Sequence, residues 1–267
     1  MNKKTITLFS LLVTIVCIAA RTVTLVYATE SATGFFVSRL SFLGIALSIT
    51  VLILTVLATV FAVFSAEKAV NGFEIKKPNG VLSILVGLSL IAYCFGFGLH
   101  DSAFLWQRVL EIVSGILCAV YFIALGASAF CDIKLPVIAN AIPAVHWIFR
   151  LVVVFGTFSS NALVAEHIFS LAALCVSCVF MLLLGKNRAE IQSDKKAGRL
   201  YPIAICGTIL NLTSAVPRII VTLLGNGDKV HGEANIDAVT LLLGIFMLML
   251  TADISNAKKI GEKENGI

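Results

Sequence analysis

Charge is scarce in this chain. Acidic and basic residues make up 13% of the sequence, against 59% hydrophobic residues, and the mean hydropathy is +1.00. A soluble globular domain carries about 25% charged residues, so the scarcity excludes a fold surrounded by water. No polar stretch is long enough to fold as a separate soluble domain. Strict apolar and polar alternation is also missing. Ser41 to Ser65 and Ala162 to Gly185 are apolar all round, which excludes the roughly ten-residue alternating segments of a membrane barrel. Histidine is thin, with four in all. His100, His146, His167 and His231 show no H-x-x-x-H, H-E-x-x-H or paired helical spacing, so no metal or haem is expected. Gly-rich phosphate loops, a Gly-x-Ser-x-Gly elbow and paired catalytic acids are lacking too. No cofactor and no catalytic residue is expected.

What is present is a recurrence of apolar stretches of bilayer-spanning length. They define an all-α, polytopic integral membrane helical bundle, a single transmembrane domain over residues 1–267 with about eight helices in four hairpins. The expected spans are 5–27, 37–65, 81–99, 107–130, 136–157, 163–185, 201–224 and 235–254. Basic residues fall into alternate loops. One side carries Lys3, Lys4, Lys68, Lys76, Lys77, Lys134, Lys186, Arg188, Lys195, Lys196, Arg199, Lys258, Lys259 and Lys263; the other holds only Arg39, Arg108 and Lys229. By the positive-inside rule the first side, with both termini, is cytoplasmic. The net charge of +5 is this topology signal, and no nucleic-acid partner is expected. Asp194 to Arg199 reads as an ordinary cytoplasmic loop. Compact loops without retention signals suit a bacterial plasma membrane.

The amino terminus has the outline of a cleaved signal peptide, Lys3-Lys4 before an apolar run and Val26-Tyr27-Ala28 after it. The long apolar run and the position of Arg21 favour a retained helix. Seven cysteines lie within helices, apart from Cys131 near a helix end, and give no disulfide framework. Cys175-Val-Ser-Cys178 has C-x-x-C spacing, but in mid-helix these are packing residues. The sequon Asn211-Leu-Thr213 sits within a span, so no glycan is expected. Small residues such as Gly44, Ser48, Ala124 and Ser128 allow helices to approach closely.

Against this apolar background Arg21, Arg150 and Arg218 stand out, because an intramembrane charge is expensive. Each lies on an outgoing helix about seven residues before the outer loop, a depth of roughly 10 Å at about 1.5 Å per residue. In the second hairpin Tyr93 and Cys94 occupy the equivalent level. Helices five and seven share a further pattern: Pro136 and Pro202 near the start, Asn140 and Asn211, and an interior Pro143 and Pro217. The interior prolines free the carbonyls of Ala139 and Thr213 and predict kinks, and such helices line bundle interiors. Helical side chains lean toward their own amino terminus, so the arginines tilt toward the bilayer centre. Glu111, Glu166 and Asp237, near the outer starts of the returning helices, are their expected partners, with Asn140, Asn211 and His146 as polar neighbours.

Two accounts follow. Either arginines, acids and freed carbonyls form a structural ion network, or fewer acids than arginines reach the cluster and Arg21, Arg150 and Arg218 line an outward-facing cavity that clamps a carboxylate or phosphate. Snorkelling to the outer headgroups is the bland third account. The functional expectation is a protein that binds or transports a small anionic solute. A non-transporting sensor, anchor or assembly subunit is the first alternative. An intramembrane enzyme acting on lipid, with Glu111, Glu166, His146 or His167 as acid or base, is the second.

Overall fold

The computed structural model describes residues 3–31, 33–65, 76–97, 105–131, 135–158, 165–189, 199–230 and 237–256. Among them are eight helices long and apolar enough to cross a membrane: α1 (Lys3–Val23), α2 (Ser41–Ser65), α3 (Lys77–Ala92), α4 (Leu105–Ala127), α5 (Ile142–Phe158), α6 (Ala165–Arg188), α7 (Leu200–Leu223) and α8 (Asp237–Asn256). The extended pairing among the described residues is one isolated bridge, Thr29 to Phe36. Hydroxyls within the apolar helices are returned to their own backbone, as Thr55 Oγ1 donating to the Val51 carbonyl and Thr208 Oγ1 to that of Ala204, both at 2.8 Å. Without water to receive them, that is the nearest acceptor.

Helices α3, α4, α5, α6, α7 and α8 each pack against the next, and α3 packs against α8, so they close a ring. α1 and α2 lie outside it and pack on α7. α7 is the least apolar and most buried span, with 72% of its central window inside the structure. Its Thr208, Asn211, Thr213, Ser214 and Arg218 leave no wholly apolar face for lipid, which explains why it lies between the ring and the outer pair. α2 is its opposite. Gly44, Val51, Thr55, Ala58 and Ala62 form a narrow buried stripe at helical spacing, while Phe42, Ile49, Val56 and Phe64 point outward.

The ring is tightest between α3 and α4. A Cβ at Gly87 would stand 2.8 Å from the Ala119 carbonyl, and Gly80 and Gly126 face each other's backbone. Ser83 Oγ donates across the gap to the Phe122 carbonyl at 2.7 Å. These glycines allow the close contact that association in lipid requires. By contrast, Gly44 packs on the Phe36 ring of its own connecting loop.

Two ends of the bundle are defined by contacts. At the near end the Thr7 and Tyr201 hydroxyls are 3.0 Å apart and Lys76 Nζ lies 2.9 Å from Asp253, bringing together the starts of α1, α3 and α7 and the end of α8. At the far end Lys229 donates to the Val26 carbonyl. Toward the near end, Phe122, Phe180 and Phe246 are fully buried inside the ring and meet edge to face at centroid separations of 6.0 and 6.4 Å, with Trp147 6.5 Å from Phe122. This aromatic layer fills the ring on that side.

Two expectations about local geometry need correction. Pro143 is not inside a helix that starts at residue 136. Val137–Ala141 forms a 3-10 turn, α5 begins at Ile142, and Pro143 falls in its first turn, where a missing N–H breaks no bond. The Ala139 carbonyl is satisfied by the Ile142 N–H. Pro217 does lie inside α7. α1 and α3 also continue at their far ends as π turns, Thr24–Ala28 and Tyr93–Phe97.

Candidate functional site

The site is built from polar residues at helical spacing on adjacent helices. Glu111 and Ser114 share one face of α4, and His146 and Arg150 share one face of α5. The two faces meet as a ladder. Arg150 Nη1 donates to Glu111 Oε1 at 3.2 Å, and one turn away Ser114 Oγ lies 3.0 Å from His146 Nδ1. The Tyr93 hydroxyl donates to the same Glu111 oxygen at 3.0 Å, and the Arg150 guanidinium carbon stands 4.7 Å above the Tyr93 ring centroid. Arg150 is thus held by a carboxylate and an aromatic face together. Gly115 makes room for the ladder: a Cβ there would lie 2.6 Å from Cys94 Sγ and 3.4 Å from His146 Cε1.

The second ion pair joins α7 to α8. Arg218 Nε is 3.3 Å from Asp237 Oδ2, and both side chains are buried. The contact is ionic in distance but lacks hydrogen-bond alignment, and Arg218 Nη2 is buried with no hydrogen-bond partner among the described residues. His146 Nε2 is in the same condition.

Both orphaned nitrogens belong to residues lining one cavity inside the ring. α5 contributes His146, Arg150 and Trp147; α6 contributes His167 and Ser170; α7 contributes Asn211, Ser214 and Arg218; α8 contributes Asp237 and Thr240. Leu90, Val154, Leu174, Val239 and Leu243 make the apolar part of the wall. The polar residues recur at three- and four-residue intervals on each helix, so four polar stripes face one another. The cavity measures about 50 Å³, room for some three to five water molecules at about 10–15 Å³ each.

The three arginines do not share this cavity. Arg150 and Arg218 line it, whereas Arg21, on α1 outside the ring, is buried with its guanidinium carbon 4.7 Å over the Phe169 ring. Glu111 stands behind Arg150 and does not line the cavity; Asp237 does. The side chain of Glu166 lies outside the described residues, as do His100 and His231. Asn140 is away from the cavity, its Oδ1 accepting from the Tyr121 hydroxyl at 3.0 Å. Asn211 lines the wall, but its amide donates to Ser177 Oγ at 3.0 Å and to the Gly207 carbonyl at 2.8 Å. It is structurally engaged.

Ser114 beside His146 invites comparison with a hydrolytic dyad. Among the described residues no acid orients the other imidazole nitrogen, and the Glu111 carboxylate is taken by Tyr93 and Arg150, so the arrangement lacks the oriented base of a triad. Cys175 is exposed and Cys178 buried, which does not present a paired thiol site. No group of three or more His, Cys, Asp or Glu among the described residues is placed to hold a metal ion.

Sequence reasoning overlooked Ser114, Ser170, Ser214 and Thr240. Each stands three or four positions from a charged or imidazole residue on its own helix, and that spacing was the available signal. Compared with protein-family models, curated proteins and solved structures, the chain matches none.

Proposed function

We propose that this multi-pass membrane protein binds a small polar solute bearing a carboxylate in the cavity enclosed by α5, α6, α7 and α8, and serves as its carrier or receptor. The observation that carries the reading is the pair of buried, unpartnered nitrogens, Arg218 Nη2 and His146 Nε2, on residues lining one cavity. A buried donor left without a partner costs about 1–3 kcal/mol, more when charged; a bound carboxylate relieves that cost at Arg218, and at His146 in the tautomer in which Ser114 donates to Nδ1 and Nε2 carries the proton. The aromatic layer of Phe122, Phe180 and Phe246 blocks the near side of the ring, which favours approach from the far end.

In this proposal the near end, with Lys76 and the basic termini, faces the cytoplasm of a bacterial plasma membrane and the cavity lies in the outer half of the bilayer. The four helices around the solute would alternate access by small movements about the ion pairs. A second reading is favoured by the Tyr93, Glu111 and Arg150 cluster, in which phenol, carboxylate and guanidinium contact one another: there the ion pairs serve only to lock helix register in a non-transporting sensor or assembly subunit.

Thermal unfolding of the purified protein against a panel of small carboxylates, phosphates and amino acids separates the two. Stabilisation that saturates with concentration, and that disappears in Arg218→Gln, is the expected outcome. A melting temperature unmoved by every compound leaves the locking role alone.

A further inference from the structure

Resting for its carboxylate on the binding reading above, we infer that the solute also carries a hydroxyl group beside that carboxylate and is a short 2-hydroxy acid. Hydroxyls elsewhere in the spans are turned back to their own backbone. Thr14, Thr55, Thr208 and Thr222 donate to the carbonyl four residues earlier at 2.7–2.9 Å, and Ser10 and Ser89 to the carbonyl three residues earlier at 2.8 Å. Ser170 on α6, Ser214 on α7 and Thr240 on α8 depart from that habit. All three line the cavity, and among the described residues no hydrogen bond engages their hydroxyls. Unlike Thr213 Oγ1, which is unpartnered and fully buried, none of these three oxygens is sealed in.

A serine or threonine on a membrane helix has a carbonyl of its own preceding turn within reach, so three that leave it unused around one cavity point to a partner inside that cavity. Each hydroxyl supplies one donor and two acceptor sites. A carboxylate or a ketone only accepts and would leave those acceptor sites idle, whereas a solute hydroxyl accepts from one wall and donates to another. The three groups are neutral whatever the protonation of His146 and His167, and they take part in neither ion pair. Ser214 also fixes where the solute hydroxyl belongs. It stands one turn before Arg218 on the same face of α7, and arginine side chains on a helix lean back toward that turn. A hydroxyl on the carbon next to a carboxylate held by Arg218 therefore falls nearest Ser214.

Size narrows the class further. Room equivalent to about three to five waters holds a chain of two or three carbons and excludes a sugar acid or a tricarboxylate. Val239 and Leu243 flank Thr240 on α8 and present an apolar surface to a methyl-sized group. Glycolate and lactate fit this description.

The test is calorimetric titration of the full chain, purified in detergent or lipid nanodiscs, with lactate, propionate, propane-1,2-diol and gluconate. Lactate and propionate share the carboxylate and differ by the hydroxyl; the diol keeps the hydroxyl and lacks the carboxylate. Lactate binding at least about tenfold tighter than propionate is expected, since a site built to hydrogen-bond a hydroxyl rejects the analogue that lacks it. The diol and gluconate should bind more weakly than lactate. In S170A/S214A/T240V, which leaves both ion pairs in place, the preference for lactate over propionate should vanish. Each single substitution should narrow it, and these serve if the triple variant does not fold. A preference kept in the triple variant, or unchanged in all three single ones, overturns the hydroxyl contact. Propionate binding the wild type as tightly as lactate overturns the hydroxy acid and keeps the carboxylate site. The diol binding as tightly as lactate overturns the carboxylate reading, gluconate binding as tightly overturns the short chain, and binding of none of the four overturns both readings.

Discussion

Two buried arginines that line one cavity end in different chemical situations. Arg150 is clasped: a carboxylate accepts its hydrogen bond at 3.2 Å, a tyrosine ring lies under its plane, and that tyrosine also donates to the same carboxylate. Arg218 is only accompanied. Asp237 is 3.3 Å away without alignment, and one terminal nitrogen is buried with no hydrogen-bond partner among the described residues. The same contrast holds for the backbones, since α3 and α4 touch through glycines whereas α7 and α8 meet through Leu212 and Met247 against Gly244 and Gly207. One half of the ring is a fastening and the other retains room to adjust. Position along a span does not by itself assign a role to a charge; the contacts that hold it do.

The contrast predicts a ranking of stabilities. Glu111→Ala should be the most damaging change, about 3–5 kcal/mol, because it strands Arg150 without its carboxylate in a buried setting. Denaturant or thermal unfolding in one fixed detergent measures it. Asp237→Asn should cost less, about 1–3 kcal/mol, since the contact it weakens is already misaligned. Equal losses for the two substitutions would erase the distinction between clasped and accompanied arginines.

The glycines carry the contrast to the backbone. Gly87→Ala drives its Cβ to 2.8 Å from the Ala119 carbonyl and 2.7 Å from Ile123, and backbone cannot step aside; a loss of about 1–3 kcal/mol is expected. Gly244→Ala meets side-chain atoms, Leu212 Cδ2 at 2.8 Å and Cγ at 2.9 Å, and should cost less than Gly87→Ala because a side chain can shift where backbone cannot. Comparing the two melting temperatures sharpens the argument, and a larger loss at Gly244 would break it. The smallest effect belongs to the near end. Lys76 is more than half exposed in its pair with Asp253, so Lys76→Ala should change stability by no more than about 0.2–1 kcal/mol and less in high salt.

The helical architecture was readable because lipid demands long, internally hydrogen-bonded apolar segments. Two of the pairings were readable too: Glu111 and Asp237, expected as partners of the arginines, stand beside Arg150 and Arg218. Azimuth and neighbour were not readable. Nothing in the local sequence says that α1 stands outside the ring, which separates Arg21 from the cavity and seats it on Phe169. Nor does it say that α3 meets α8, since that contact joins distant parts of the chain. Pro143 misled for a local reason: an apolar run continues through Val137–Ala141, and only the 3-10 geometry shows that the α-helix starts after it. Gly80, Gly87 and Gly126 were missed because glycine in a span marks a close contact only once the facing helix is known.

The closure of the ring between α3 and α8 also fixes an order of events during synthesis. A chain emerging from its amino terminus can assemble α3 through α6 early, and Arg150 finds Glu111 as soon as α5 is inserted. Arg218 enters the membrane on α7 before Asp237 exists, since that partner opens the last helix. The cavity therefore has no wall on one side until the final span arrives. The membrane insertion of α7 must be tolerated, for the seconds that translation takes at about 5–20 residues per second, with its charge still waiting for its mate.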